Sequence, residues 1–281
     1  MRPELVSPTA PIGIFDSGVG GLSVIRAIWQ ELPDEELIFL ADQAHVPYGP
    51  RPLEEVRGFA EGITHFLLEQ GAKMVVVACN AASAAALQYL RQTFPNTPFV
   101  GMEPAVKPAA EHSHNQVVAV LATPATFQGQ LYASLVDRFA ADTRLLQHTC
   151  PGLVQQIEAG DLDGPVTRRI LEEALLPMLR QGADTVVLGC THYPFVIPLI
   201  QEIAGPEVRV IDPAPAVARQ VRRVLEAQDL RHPARPGNPV RHSCFLTSGD
   251  ASRLKTAISH LLNIEVTTSQ VGWTGATQLN Y

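Results

Sequence analysis

The sequence predicts an α/β protein built as two pseudo-symmetric α/β lobes with mostly parallel sheets and an active site between them. Three observations lead there. Short apolar runs rich in β-branched residues alternate with helical patterns, as parallel strands covered on both faces do. One unit occurs twice: QGAKMVVVACNAAS begins at Gln70, and QGADTVVLGCTHYP begins at Gln181 and aligns with it without a gap. In open α/β sheets, ligands bind beyond the carboxyl ends of the strands, which is where this unit puts Cys79 and Cys190.

The elements follow in order. Ile12–Phe15 reads as a strand, and GLSVIRAIWQELP reads as a helix with Leu22, Ile25 and Trp29 on one face and Pro33 at its end. Leu37–Asp42 is a second strand, a helix runs from Leu53 to Gln70, and Met74–Cys79 is a third strand. VAVLATPAT from Val118 echoes IGIFDSGVGG: each is a strand that breaks into a polar turn before a helix. Val208–Ala216 gives a strand and a turn with two prolines, VARQVRRVLEAQ a helix, and Leu230–Arg241 a proline-rich connection. Cys244–Gly249 is a short strand, and Asp250 caps the helix after it. Lobe one is expected over 12–103 and lobe two over 104–214. A return segment over 215–267 would complete lobe one, with irregular termini at 1–11 and 268–281.

Composition narrows the function. The 281 residues are 46% apolar, enough for a sizeable core. The net charge is −7, from 21 basic and 28 acidic residues, and no basic cluster offers itself to phosphates, so no nucleic-acid partner is expected. No stretch approaches the roughly 20 apolar residues that span a bilayer, so no membrane partner is expected. No signal-peptide pattern opens the chain. The four cysteines, Cys79, Cys150, Cys190 and Cys244, form no CxxC pair and are too scattered for a disulfide scaffold. A cytoplasmic setting is expected, which keeps thiols free.

Two opposed cysteines can do one thing that a single cysteine cannot. A thiolate takes a proton from one face of a carbon while a thiol delivers one to the other, and the centre inverts. Cysteine titrates near about 8.5, so both forms are accessible with modest tuning. Asn80 and Thr191, polar where each apolar run stops, place the cysteines at the rim of their sheets. Asp16 and Ser17 end the first strand, where a carboxylate can hold an ammonium or orient a thiol. Gly18, Gly20 and Gly21 permit a tight turn and a helix start facing an anion, but they lack the dinucleotide fingerprint. In the loop Val46–Gly49, containing Pro47, Tyr48 can donate its hydroxyl to a distal carboxylate and Gly49 its N–H. His192, two residues after Cys190, can donate to the thiol or relay a proton. Glu158 reads only as an acidic residue on a surface helix. No Cys/His pair has the spacing of a structural metal site, so no metal is expected. A hydrolase or transferase with Cys190 as nucleophile and His192 as its base is a rival reading, but it leaves Cys79 unexplained.

Together IFDSGVGGLSV, the DxxxxPYG of Asp42–Gly49, VVACNAAS and LGCTHYP resemble the glutamate racemases of the aspartate/glutamate racemase superfamily, from Ile12 to about Thr247. The resemblance implies two α/β lobes and cofactor-free interconversion of L- and D-glutamate for bacterial peptidoglycan. It implies that Cys190 deprotonates L-glutamate and Cys79 deprotonates D-glutamate, with Asp16 assisting Cys79 and His192 assisting Cys190. Ser17, Asn80 and Thr191 would hold the amino-acid head, Tyr48 and Gly49 would lie near the side-chain carboxylate, and Glu158 would lie near His192. Some members form homodimers, and some are activated by a cell-wall precursor. An aspartate or hydantoin racemase is the nearest alternative within the superfamily. A non-catalytic interaction or inhibitory protein on the same fold is the alternative outside it, since some members also inhibit DNA gyrase.

The chain departs from the family pattern twice. Where the family has ACNTAS, this chain has ACNAAS, so Ala81 keeps a backbone N–H but lacks a hydroxyl that contacts substrate. A missing donor in a dry pocket costs about 1–3 kcal/mol, unless a water or Ser83 compensates. Where the family has IDSA, this chain has IDPA, and Pro213 removes a hydroxyl and a backbone donor.

Overall fold

In the computed structural model, residues 7–234, 237–275 and 278–281 are described. The strands are β1 (Ile12–Asp16), β2 (Leu37–Ala41), β3 (Met74–Val77), β4 (Phe99–Gly101), β5 (Val117–Ala122), β6 (Arg144–His148), β7 (Thr185–Gly189), β8 (Arg209–Ile211), β9 (Ser243–Thr247), β10 (Thr268–Gln270), β11 (Gly272–Thr274) and β12 (Gln278–Asn280). The helices are α1 (Leu22–Glu31), α2 (Leu53–Glu69), α3 (Asn80–Thr93), α4 (Val106–His112), α5 (Pro124–Gln128), α6 (Gln130–Phe139), α7 (Leu153–Glu158), α8 (Pro165–Arg180), α9 (Ile197–Ala204), α10 (Ala214–Ala227) and α11 (Ala251–Leu262).

Two sheets of parallel strands result. The first has the order β10-β9-β2-β1-β3-β4 and the second the order β6-β5-β7-β8. The last four strands in the order of the first, β2-β1-β3-β4, match the second position for position, and the repeated sequence unit supplies β3 and β7. Every residue of β1, β3 and β7 is buried. Burying an aliphatic side chain is worth about 1.5–3 kcal/mol, which makes these runs the central strands.

Each Gln-Gly that opens a repeat closes a helix in the same way. Gly71 and Gly182 have φ of 83° and 91°, the left-handed region that glycine enters without a Cβ penalty. After α2, Ala72 N–H donates to Leu67 C=O and Gly71 N–H to Leu68 C=O; after α8, Ala183 donates to Met178 and Gly182 to Leu179. These paired bonds satisfy the last helical carbonyls and turn the chain into the strand.

The register places the strand ends. In the first sheet Phe15 lies opposite Leu40 and Val77, so Asp16, Asp42 and Cys79 gather at one edge. In the second, Ala122 lies opposite Gly189, so Thr123 stands beside Cys190. After β8, α10 packs on α1, and Arg222 pairs with Glu31 at 3.1 Å.

Of the stretch 268–281, expected to be irregular, most of the described residues form strands. β10 adds to the edge of the first sheet, and β11 and β12 form an antiparallel hairpin. Each strand has three residues, too short for an alternating pattern to show in the sequence. What orders them is tertiary: Val271 and Leu279 are buried in the core shared with α2. Residues 1–6 of the expected N-terminal irregular stretch lie outside the described residues; Ser7–Pro11 contains no helix or strand. No helix among the described residues is long and apolar enough to cross a membrane.

Candidate active site

The carboxyl ends of the two sheets enclose a small cavity of about 20 Å3, room for about one water. The first lobe contributes Ser17, the Pro47–Gly49 loop, Cys79, Asn80 and Ala81; the second contributes Cys190, Thr191 and His192. Asp16 and Glu158 stand directly behind this lining.

Cys79 is 4% exposed and caps α3, its sulfur accepting the Ala82 N–H at 3.4 Å. Ser17 Oγ lies 3.9 Å from the sulfur. Burial and then the Asp16 charge push the Cys79 thiol well above its ordinary value, against the weaker pull of the Ala82 N–H. Cys79 is therefore held protonated. Asp16 is fully buried; its Oδ2 accepts from Gly21 N–H at 2.9 Å and from Gly18 N–H at 3.3 Å, and Thr191 Oγ1 lies 3.4 Å from Oδ1. Burial raises its pKa, while the His192 charge and the Gly21 N–H oppose that rise.

Cys190 has a different neighbour. His192 Nδ1 lies 3.8 Å from its sulfur, and His192 Nε2 lies 2.6 Å from Glu158 Oε1. Glu158 Oε1 also accepts the Val19 N–H at 2.7 Å. Burial disfavours charge on His192, but hydrogen bonds to Cys190 and Glu158 and their charges lift it well above its ordinary value. Burial likewise disfavours charge on Glu158, but the His192 bond and charge, then Val19 N–H, bring its carboxyl below the usual range. The result is a buried imidazolium–carboxylate pair, with both ring nitrogens donating and one aimed at the sulfur.

The glycine turn after Asp16 is where the lobes press together. A Cβ on Gly20 would lie 2.5 Å from His192 Nδ1 and 2.6 Å from Thr191 Oγ1. One on Gly18 would run into the Glu158 carboxylate. Ser23 Oγ adds a hydrogen bond across the gap to Thr191 C=O at 3.0 Å.

Asn80 is 3% exposed, lines the cavity, and neither its amide nitrogen nor its oxygen has a partner among the described residues. An amide left unpaired in a dry site costs about 1–3 kcal/mol, so the cavity is built for a polar occupant.

Three sequence expectations change. Tyr48 does not offer its hydroxyl to the cavity: the phenol donates to Asp42 Oδ2 at 2.6 Å, because that buried carboxylate lies within reach of the loop. Glu158, read from the pattern alone as a surface-helix residue, ends α7 with its side chain largely buried and its carboxylate on His192, as the resemblance implied. Ser83 cannot replace the hydroxyl missing at Ala81, because it donates to Val77 C=O at 3.1 Å and accepts from Met102 N–H. Pro213 caps α10 and does not line this cavity. Sequence reasoning missed Thr123 and Val154, which also line it. Thr123 caps α5, and the ATPAT echo of DSGVGG was a signal for it. Among the described residues no group of three His, Cys, Asp or Glu side chains could hold a metal ion.

Known proteins resemble this chain in sequence and in fold. The family model described as Asp/Glu/Hydantoin racemase matches residues 12–221. A glutamate racemase of Pseudomonas aeruginosa is 56% identical over 222 residues, covering 79% of this chain and 84% of that protein. A glutamate racemase structure from Bacillus anthracis superposes with a TM-score of 0.83 at 28% identity, over 96% of this chain and 99% of that one. Escherichia coli glutamate racemase, solved with L-glutamate and the activator UDP-MurNAc-Ala, gives 0.79 at 31% identity over 93% and 97%.

Proposed function

The chain belongs to the Asp/Glu/hydantoin racemase family, and on that premise we propose that it is a glutamate racemase using Cys79 and Cys190 as its two bases without a cofactor. The observation that carries the proposal is one small cavity with both buried cysteines in its lining, each following an equivalent strand of an opposite lobe.

The roles of the two sulfurs follow from their neighbours. Cys79, raised by burial and by Asp16, is held as the thiol and is the proton donor toward L-glutamate. Cys190, 3.8 Å from Nδ1 of the His192 imidazolium, is the base in that direction. Cys190 takes the α-proton on one face, and Cys79 gives its proton to the other. The C–H bond breaks toward the Cys190 sulfur, and a new C–H bond forms from the Cys79 thiol, so D-glutamate leaves with Cys190 protonated and Cys79 ionised. The reverse reaction begins from that state. The α-proton is far less acidic than a thiol, so developing charge must be met by donors already aimed at it. Asn80, Thr191 and Ser17 are the groups for the amino-acid head, and the unpaired Asn80 amide supports that role. The Tyr48–Gly49 loop is the group for the side-chain carboxylate. A cavity of about 20 Å3 does not hold glutamate, so substrate entry requires the lobes to part.

The proposal extends to a cytoplasmic enzyme supplying D-glutamate for peptidoglycan, with homodimerisation and response to a cell-wall precursor as further expectations. The reading as an interaction protein has less support: among the described residues only Val166, Leu176 and Tyr281 are exposed large hydrophobics, and they make no extended run in the sequence.

The test is purified protein, dialysed against a chelator, with L-glutamate in heavy water. Optical activity should decay while deuterium enters the α-carbon. Rapid reaction of aspartate with none of glutamate would overturn the substrate assignment. Exchange with no amino acid would overturn the catalytic reading.

A further inference from the structure

Asp42, one residue beyond β2, is fully buried and receives four donors from three parts of the chain. His45 Nδ1 lies 2.9 Å from Oδ2, and the Tyr48 hydroxyl donates to the same oxygen at 2.6 Å. Ser248, just after β9, donates its hydroxyl to Oδ1 at 2.5 Å. The fourth donor comes from far away in sequence: the indole N–H of Trp273, on β11, donates to Oδ1 at 2.8 Å. The Trp273 ring also packs edge-on to His45 at 5.3 Å and tilted against Phe59 at 5.8 Å, while His45 stacks on Phe59 at 3.9 Å. Leu279 and Val271 bury the base of the hairpin. This hairpin lies outside residues 12–221, the part matched by the family.

The consequence for the cavity runs through Tyr48. Its single hydroxyl proton is committed to Asp42, so the phenol fastens the loop rather than binding a ligand. The backbone N–H groups of Tyr48 and Gly49 have no acceptor among the described residues. Those two donors, at the edge of the cavity, are what the loop can present to an acidic side chain. Their aim depends on where Asp42 holds the phenol, and the orientation of Asp42 is set by the balance of two partners on each of its oxygens. Removing the indole N–H leaves Oδ1 of a buried carboxylate one donor short, and the carboxylate and the phenol bound to it then shift together.

We propose that Trp273 is a positioning residue for the substrate's side-chain carboxylate: through Asp42 and the Tyr48 phenol it fixes the Tyr48–Gly49 backbone donors, making the C-terminal hairpin part of the substrate site. This rests on the racemase reading above. Trp273 touches no reacting atom, so it sets affinity and not proton transfer.

The test is a double-mutant cycle of Trp273→Phe and Tyr48→Phe in the full-length protein. Trp273→Phe keeps the ring and removes only the donor. It should raise KM for both glutamate enantiomers by roughly five- to tenfold while kcat stays within about twofold. The double variant should be no worse than Tyr48→Phe alone, because both changes break the same tether. Unchanged KM in Trp273→Phe, additive effects, or a fall in kcat alone would overturn the proposal.

A second measurement does not depend on turnover or on a stable Trp273 variant. The chain has two tryptophans, and Trp29 donates to Ser243 Oγ, away from the cavity. The two indole N–H signals in a nitrogen–proton correlation spectrum can be assigned with Trp29→Phe. Tyr48→Phe should move the Trp273 signal and leave that of Trp29 in place. If the wild type does not turn over glutamate, the racemase reading falls, and a Trp273 signal unmoved by Tyr48→Phe would overturn the tether as well.

Discussion

Cys79 and Cys190 follow equivalent strands, yet their surroundings are built oppositely. Around Cys190 the polar groups form a chain, Cys190–His192–Glu158, that ends on a backbone N–H from the other lobe. Around Cys79 there is a helix start, a buried carboxylate and Ser17, with no cation in contact among the described residues. Fold symmetry therefore does not carry over to charge. The Cys190 side presents an imidazolium, and the Cys79 side holds its sulfur protonated. The proposed two-base reaction needs unlike sides, because two thiolates or two thiols could not pass a proton through the carbon. The Cys79 side is also the sparser one, since Ala81 lacks a hydroxyl and Ser83 is occupied elsewhere.

The comparison breaks most easily at the sulfurs. Cys79→Ser and Cys190→Ser should each lower kcat for racemisation by about 10²–10⁴-fold, since each removes one acid–base partner. Near-wild-type activity in either variant, measured by circular dichroism, would end the paired mechanism. Racemisation has an equilibrium constant of one, so any variant loses kcat/KM equally in both directions; the asymmetry of the two sides must be sought in pH profiles.

Next in size is the contact that joins the sides. Gly20→Ala places a Cβ against His192 and Thr191. A displacement of the order of 1 Å costs about 100-fold in rate, so kcat should fall by roughly that much. The melting temperature should change little, because lobe contact and not core packing is disturbed. A variant with full activity would show that the lobes do not close this tightly in solution.

Glu158→Gln tests the charged chain alone. Losing one charge-assisted hydrogen bond, worth about 1.5–3 kcal/mol, should lower kcat about 10–100-fold. The pH dependence of stability gives an independent check. The lowered Glu158 pKa contributes stability that is present above its ordinary value of 4.5 and lost as pH falls through the lowered one. The raised His192 pKa contributes stability that is present below its ordinary value of 6.5 and lost as pH rises through the raised one. The melting-temperature gap between wild type and Glu158→Gln should therefore be widest from pH 4.5 to 6.5 and narrow toward both extremes. A gap independent of pH would mean that the pair is not ionic.

The smallest expected effect is a gain on the sparse side. Ala81→Thr restores a hydroxyl at the cavity wall and should lower KM for glutamate by about fivefold to tenfold, through one hydrogen bond. An unchanged KM would mean that substrate does not reach that wall.

Much of this was legible in the sequence because it is local. Continuous β-branched runs specify buried parallel strands wherever they occur, and Gln70–Gly71 and Gln181–Gly182 specify the same helix ending twice. The repeat then put Cys79 and Cys190 at strand ends without reference to any long-range contact. Asp16 and His192 were legible for the same reason, since each lies within a few residues of a strand terminus. Three things depended on the tertiary structure. Glu158 reads as surface because its partners, His192 and Val19, are distant in sequence. Tyr48 reads as a substrate donor because Asp42's competing claim on its hydroxyl is a matter of distance in space. The strands at 268–281 read as irregular because three-residue segments have no period of their own and are ordered only by the first sheet and α2. The sequence by itself thus determined the strands, the helix ends and the two cysteines, which depend on short-range sterics and burial. Which carboxylate serves which group, and which sulfur faces an imidazolium, was decided only by tertiary structure, because hydrogen bonds and charge act through space.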